Sequence, residues 1–143
     1  MSEILPVTST PLPPGLVLSL MPGEFAVCRL PAGAPLPAWA GSSSQFYALI
    51  RTPDELSVVC AEQDVPDTIQ AETGWSLLQV HGPLDFSLVG VLASLALPLA
   101  QTGVSIFVLS TYETDYLLVR KADLSRAVQA LAQAGHGLQG LEG

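Results

Sequence analysis

A hairpin that occurs twice constrains this chain more than any other feature. With a constant offset of 59 residues (Thr52 onto Thr111), the stretch from Leu49 to Val65 lies over Val108 to Leu124 without a gap. Val58 falls on Leu117, Asp64 on Asp123 and Val65 on Leu124. Each copy has a strand, a short polar turn and a return strand rich in aliphatic residues, the pattern of an antiparallel hairpin. The same offset puts Leu16 on Trp75 and Leu18 on Leu77, so the first strands are expected to align as well. Two copies of a strand–helix–strand–strand–helix unit then account for the 143 residues. A unit of about 60 residues buries little surface alone. Pairing the two sheets side by side is the expected remedy.

The remaining elements follow in chain order. Residues 1–14 carry Pro6, Pro11, Pro13 and Pro14 and read as an extended lead-in. Leu16–Leu20 is a strand, and Phe25–Leu30 is a strand or the first turns of a helix, stopped by Pro31. Pro35–Ala40 suits one or two helical turns, with Trp39 as their anchor to the core. Gln63–Glu72 is expected to be helical, with Pro66 and Asp67 near its start and Gly74 at its end.

Trp75–Val80 is the next strand. A long helix is predicted from about Phe86 to Gln101, capped by Asp85 or Ser87, apolar almost all round and therefore buried on more than one side. Pro98 has no N–H for the carbonyl of Ser94, which predicts a kink or an early end. Val104–Leu109 and Asp115–Val119 form the second hairpin. Asp123 is placed to cap a second helix whose Leu124, Ala127, Val128 and Leu131 share one face. Leu138–Leu141 is a short edge strand or a frayed end.

The second copy resembles an ACT domain. The residues that carry the likeness are Leu84-Asp85-Phe86 with Gly90-Val91-Leu92, Gly103 to Phe107, Leu109-Ser110-Thr111, Asp115 to Val119, and Asp123-Leu124. The pattern is similar to the regulatory tail of aspartate kinases and to small tandem-ACT proteins related to the CASTOR arginine sensors. The resemblance implies an α+β fold: two ferredoxin-like (βαββαβ) ACT units with antiparallel sheets side by side and helices on one face. Residues 15–73 would be the first unit, with a degenerate first helix, and 74–143 the second.

It further implies a ligand held between units by Asp85, Phe86, Gly90 and Val91 on one side and by Ser110, Thr111, Tyr112 and Asp115 on the other. In the first copy Pro53 stands where Tyr112 would be and Leu56 where Asp115 would be, so the site is assigned to the second copy.

Elementary chemistry is compatible with that site. The N-terminus of a helix offers N–H groups to a carboxylate, and Gly90 has no side chain to block approach. Asp85 or Asp115 can pair with an ammonium group, and Tyr112 can cover an apolar or cationic side chain. Structural roles compete at each position. Asp85 equally suits a helix cap, Asp115 a hairpin closure, Tyr112 an exposed turn and Gly90 close helix packing. Ser110 and Thr111 can satisfy turn backbone groups.

Composition narrows the partners. With 5 basic against 13 acidic side chains, the net charge of −8 repels phosphate backbones, and no polybasic segment exists to hold an anionic membrane. The apolar run Leu88–Ala100 is far shorter than the roughly 20 residues of a spanning helix. The first residues lack the basic and apolar regions of a secretory signal, and a cytoplasmic location is expected. Cys28 and Cys60 sit in apolar runs and read as reduced core thiols. His81 and His136 are the only histidines, too isolated for a metal cluster; no nucleophile elbow, Walker loop or dinucleotide fingerprint is present.

The expectation is a non-catalytic regulatory sensor that binds an amino acid or related small metabolite, needs no cofactor or metal, and is a homodimer or larger. The alternative is a ligand-independent dimerisation module that docks on a metabolic enzyme or a transporter.

Overall fold

The computed structural model describes residues 15–43, 46–82, 84 and 89–141. Its strands are β1 (Val17–Leu20), β2 (Phe25–Leu30), β3 (Ala48–Arg51), β4 (Leu56–Ala61), β5 (Gln70–Val80), β6 (Ile106–Ser110), β7 (Asp115–Arg120) and β8 (Gly137–Gln139). Two helices, α1 (Val91–Gln101) and α2 (Leu124–Gln133), follow β5 and β7. Short 3₁₀ turns lie at Ala38–Gly41, Glu62–Asp64 and Lys121–Asp123.

All eight strands join one sheet. The 11-residue β5 is its spine. Its first half pairs with β2, which leads outward to β4 and β3. Its second half pairs with β7, and through it β6, on one side and with β1, then β8, on the other.

The repeated hairpin is present in three dimensions. β4 and β7 match end to end at the offset of 59 residues, and the 3₁₀ turns that follow them match as well. The residues that enter those turns adopt nearly the same backbone, φ −57° and ψ 132° at Ala61 and φ −58° and ψ 138° at Arg120. Thr52 N–H donates to the Glu55 carbonyl at 2.9 Å, and Thr111 N–H to the Thr114 carbonyl at 2.8 Å. Both threonine hydroxyls accept the N–H three residues on, at 3.2 and 3.3 Å.

Other expectations are corrected. The two sheets expected side by side are one continuous sheet, because β5 serves both halves. Leu16–Leu20 is not the counterpart of Trp75–Val80. β2 pairs with β4 as β5 pairs with β7, Phe25 opposite Ala61 and Trp75 opposite Arg120. The offset for the first strands is therefore 50 (Phe25 onto Trp75). β1 instead lies antiparallel on β5 itself, Leu18 opposite Val80.

The helix expected over Gln63–Glu72 is absent. Gln70–Glu72 pairs with the Val27–Arg29 edge of β2, and those ladder bonds outweigh local helix propensity. α1 starts at Val91; of the residues before it, Asp85 and Ser87, read as its caps, lie outside the described residues. Asp123 stands at the N-cap position of α2 but makes no capping bond; it accepts one from Arg126 at 2.7 Å.

Alternation along the strands creates two apolar faces. One holds Leu18, Leu78, Val80, Leu117 and Val119 under Val91, Leu95 and Leu99 of α1 and Ala127 and Leu131 of α2. The same face continues over the first half, where Ala26, Cys28, Leu56, Val58 and Cys60 pack beneath Trp39 and Ala40. Both cysteines are free and buried. The opposite face carries Phe25, Val59, Trp75, Leu77, Leu109 and Leu118. There the sheet coils until Phe46, beside β3, and Tyr116 of β7 bring their rings within 4.8 Å between centroids.

Pro98 neither ends α1 nor leaves a bare carbonyl. The helix continues to Gln101, and the Ser94 carbonyl accepts a bond from His136 Nε2 at 3.1 Å. His136 Nδ1 accepts the Leu16 N–H at 3.2 Å, which defines the neutral Nε2–H tautomer. The imidazole is buried, 6% exposed, so it is a structural brace between α1, β1 and the α2–β8 connection.

Candidate functional site

The β6–β7 hairpin gathers four of the predicted residues. Ser110 and Asp115 are directly opposite in the ladder, and the Ser110 hydroxyl donates to Asp115 Oδ1 at 2.7 Å. Thr111 commits its hydroxyl to the turn, accepting from Thr114 N–H and donating to the Thr114 carbonyl at 3.2 Å. Tyr112 stands at the tip with 81% of its surface exposed. In this chain alone Thr111 is a turn residue, and Asp115 keeps Oδ2 for a further donor.

Gly90 and Val91 lie at the start of α1. Gly90 holds φ at +83°, a left-handed conformation that a side chain disfavours, and its carbonyl accepts the Ser94 N–H at 2.9 Å. The Val91 side chain is buried in the core, so it offers a ligand its backbone only. Asp85 and Phe86 lie outside the described residues.

The hairpin and the segment leading to α1 are tied together. Leu84 N–H donates to the Glu113 carbonyl at 2.7 Å. Gly82 makes that approach possible, since a Cβ there would lie 3.0 Å from the Glu113 oxygen. Thr114, which the sequence did not single out, is the residue that secures the arrangement. It is 7% exposed, and its hydroxyl donates to the Val80 carbonyl at 2.6 Å. A buried threonine three residues after another, at a hairpin tip that should be solvated, is the signal that could have found it.

Two concavities of about 610 and 560 Å³ flank the Met21–Glu24 turn between β1 and β2. Among the described residues, neither is lined by one predicted for the site. Concavity and candidate chemistry therefore do not coincide; for the predicted site the geometry of hairpin and helix entry is the better guide, because it supplies the donors and acceptors. Glu24 lines both hollows and pairs with Lys121. That contact, reinforced by Glu62, holds the Glu24 carboxyl below the usual carboxylate range and the Lys121 ammonium above its own.

A sheet with both helices on one face and a tight hairpin, antiparallel as expected except where β8 lies parallel to β1, defines a small α+β domain. Residues 70–133 match the family model of the ACT domain, and a second model, described as an N-terminal domain, matches residues 23–68. The segment 70–133, a little under half of the chain, belongs to the ACT-domain family.

It is 36% identical over 103 residues to the human cytosolic arginine sensor for mTORC1 subunit 1, a match covering 64% of this chain and 31% of the relative. The matched region thus spans about a third of that protein's length. The crystal structure of protein Atu0741 from Agobacterium tumefaciens superposes with a TM-score of 0.85 at 37% identity, covering 92% of this chain and 97% of that one. The regulatory subunit of aspartate kinase from Thermus thermophilus shares the fold at a TM-score of 0.55 and 13% identity, with 90% and 99% covered.

Proposed function

We propose that this chain is a non-catalytic sensor or regulatory module that binds a free amino acid between the start of α1 and the β6–β7 hairpin. The observation that supports the reading is the bond from Leu84 N–H to the Glu113 carbonyl, which holds the chain just after β5 against the hairpin tip. On this reading the ligand carboxylate is received by the first N–H groups of α1, whose donors have no partner inside a helix. The ammonium or a cationic side chain pairs with Asp115, already oriented by Ser110. Tyr112, at the tip, closes over the ligand's side chain. Gly90 and Val91 complete one wall, and Ser110 and Thr111 the other.

The similarity to a cytosolic arginine sensor makes arginine the first ligand to try and a cytoplasmic setting the natural one. We read the chain as two ACT-like units, about residues 15–73 and 74–143, that share β5. A second copy covering the outer face of the α1 wall would complete the pocket, which makes a homodimer the working form. Calorimetric titration with arginine and then the other amino acids tests the assignment. If none of them binds with a dissociation constant below about 1 mM to a folded sample, the sensor reading fails.

One observation favours a second reading. Val89, Leu92 and Leu97 are 62%, 43% and 50% exposed around α1, a surface suited to docking on a protein. A partner recovered at constant stoichiometry with and without amino acids would favour that ligand-independent role.

A further inference from the structure

The larger concavity beside the β1–β2 turn lies outside the hairpin and helix entry, and it has chemistry of its own. Its floor is aromatic: Phe25, 1% exposed, meets Phe46 edge to face at 6.0 Å between centroids. Met21 adds a flexible apolar wall. Two carboxyl groups, Glu24 and Glu62, line the same hollow. Their backbones are joined, since Glu62 N–H donates to the Glu24 carbonyl at 2.9 Å. Glu62 Oε1 accepts the Gly74 N–H at 3.2 Å, which anchors its side chain.

The chain's five basic side chains are committed elsewhere or reach this pair from outside the hollow. Arg29 and Arg51 bond backbone carbonyls of Asp54, Ala32 and Ala34. Arg120 lies 4.1 Å over Trp75 and pairs with Glu72, and Arg126 pairs with Asp123. Lys121 holds Glu24 from the neighbouring hollow, which it lines. No basic residue lines the larger one. A volume of about 610 Å³ lies within the usual range for small-molecule pockets.

We propose that this hollow is a second ligand site, for a small organic cation whose amine or guanidinium head sits between Glu24 and Glu62 and whose apolar body lies against Phe46 and Met21. An ammonium or guanidinium donates to both carboxylates at once, a charge-assisted arrangement stronger than a neutral one. The aromatic floor gains by apolar burial and by attraction of the cation to the ring face. The site is distinct from the tip of the β6–β7 hairpin, which it touches only through the Phe46–Tyr116 ring contact, and it does not depend on the amino-acid reading.

The test uses phenethylamine against phenylacetate, which present the same ring with opposite charge. Amide chemical shifts of the whole chain are followed by NMR in both titrations. Phenethylamine is expected to move Gly23, Glu62 and Gln63 and leave Gly90, Thr111 and Asp115 in place. Phenylacetate is expected to move none of them. Glu62→Gln keeps the Gly74 bond and should weaken phenethylamine binding about tenfold, and Phe46→Leu, which retains bulk, should weaken it by a smaller factor. Equal response to phenylacetate, shifts confined to the hairpin, or undiminished binding by Glu62→Gln in a folded sample would each overturn the proposal. An amino acid that moves only the hairpin and helix entry leaves the two sites distinguishable.

Discussion

Replacing His136 with leucine tests the account of how α1 tolerates Pro98. The imidazole makes two bonds from a 6% exposed position, 3.1 Å to the Ser94 carbonyl and 3.2 Å from the Leu16 N–H. Leucine fills the space but leaves a buried acceptor and a buried donor unpaired, each at a cost of about 1–3 kcal/mol. The net loss, after the gain in apolar burial, should be about 2–4 kcal/mol.

At about 2–4 °C per kcal/mol for a chain of this size, the melting temperature should drop by about 5–15 °C. The decisive variant is Pro98→Ala, which supplies an N–H at position 98 for the Ser94 carbonyl. Its gain in helix propensity appears in both backgrounds and cancels in a double-mutant cycle. What remains is the restored bond. Pro98→Ala should therefore stabilise the His136→Leu chain by about 1 kcal/mol or more beyond its effect on the parent. Urea unfolding of the four proteins measures this directly. If the two effects of Pro98→Ala agree within about 0.5 kcal/mol, His136 does not stand in for the missing donor and the reasoning is wrong.

Thr114→Val keeps shape but removes the hydroxyl that holds the Val80 carbonyl; a loss of about 1–3 kcal/mol is expected by urea unfolding, and weaker amino-acid binding by calorimetry if the hairpin forms the site. Gly90→Ala puts a side chain at φ +83° and should cost about 1–2 kcal/mol in the same assay. Glu24 is held below its usual range by Lys121 and Glu62, so its stabilising effect is full above the unfolded carboxylate pKa and lost as pH falls through the lower folded value. Lys121 is raised, chiefly by Glu24, so its share is full below the unfolded lysine pKa and lost as pH rises through the folded value. Glu24→Gln should flatten the stability profile at both ends, and thermal melts across pH in low salt would show whether it does.

Local chemistry made part of this protein legible. The Thr52 and Thr111 turns, β3 with β6 and β4 with β7 all lie where residue pattern and offset put them, because their bonds run between residues close in sequence. The hairpin half of the candidate site was visible for the same reason. Tyr112 and Asp115 could be named, but whether the Thr111 hydroxyl is free for a ligand could not, since Thr114 is its partner only in the folded turn.

What the sequence determined by itself is the repeated hairpin, the presence of α1 and α2 and the alternation that gives each strand an inner and an outer face; burial of α1 on more than one side is not found, since Leu92 and Leu97 are 43% and 50% exposed. Tertiary structure alone decided that β2, and not β1, is the counterpart of the second half of β5, and that one 11-residue strand is shared by both halves. It also decided that a histidine 42 residues from Ser94 supplies the bond that Pro98 cannot. The physical reason is that a strand edge or an orphaned carbonyl accepts any donor of suitable geometry. Which donor arrives is set by how the whole chain closes around it.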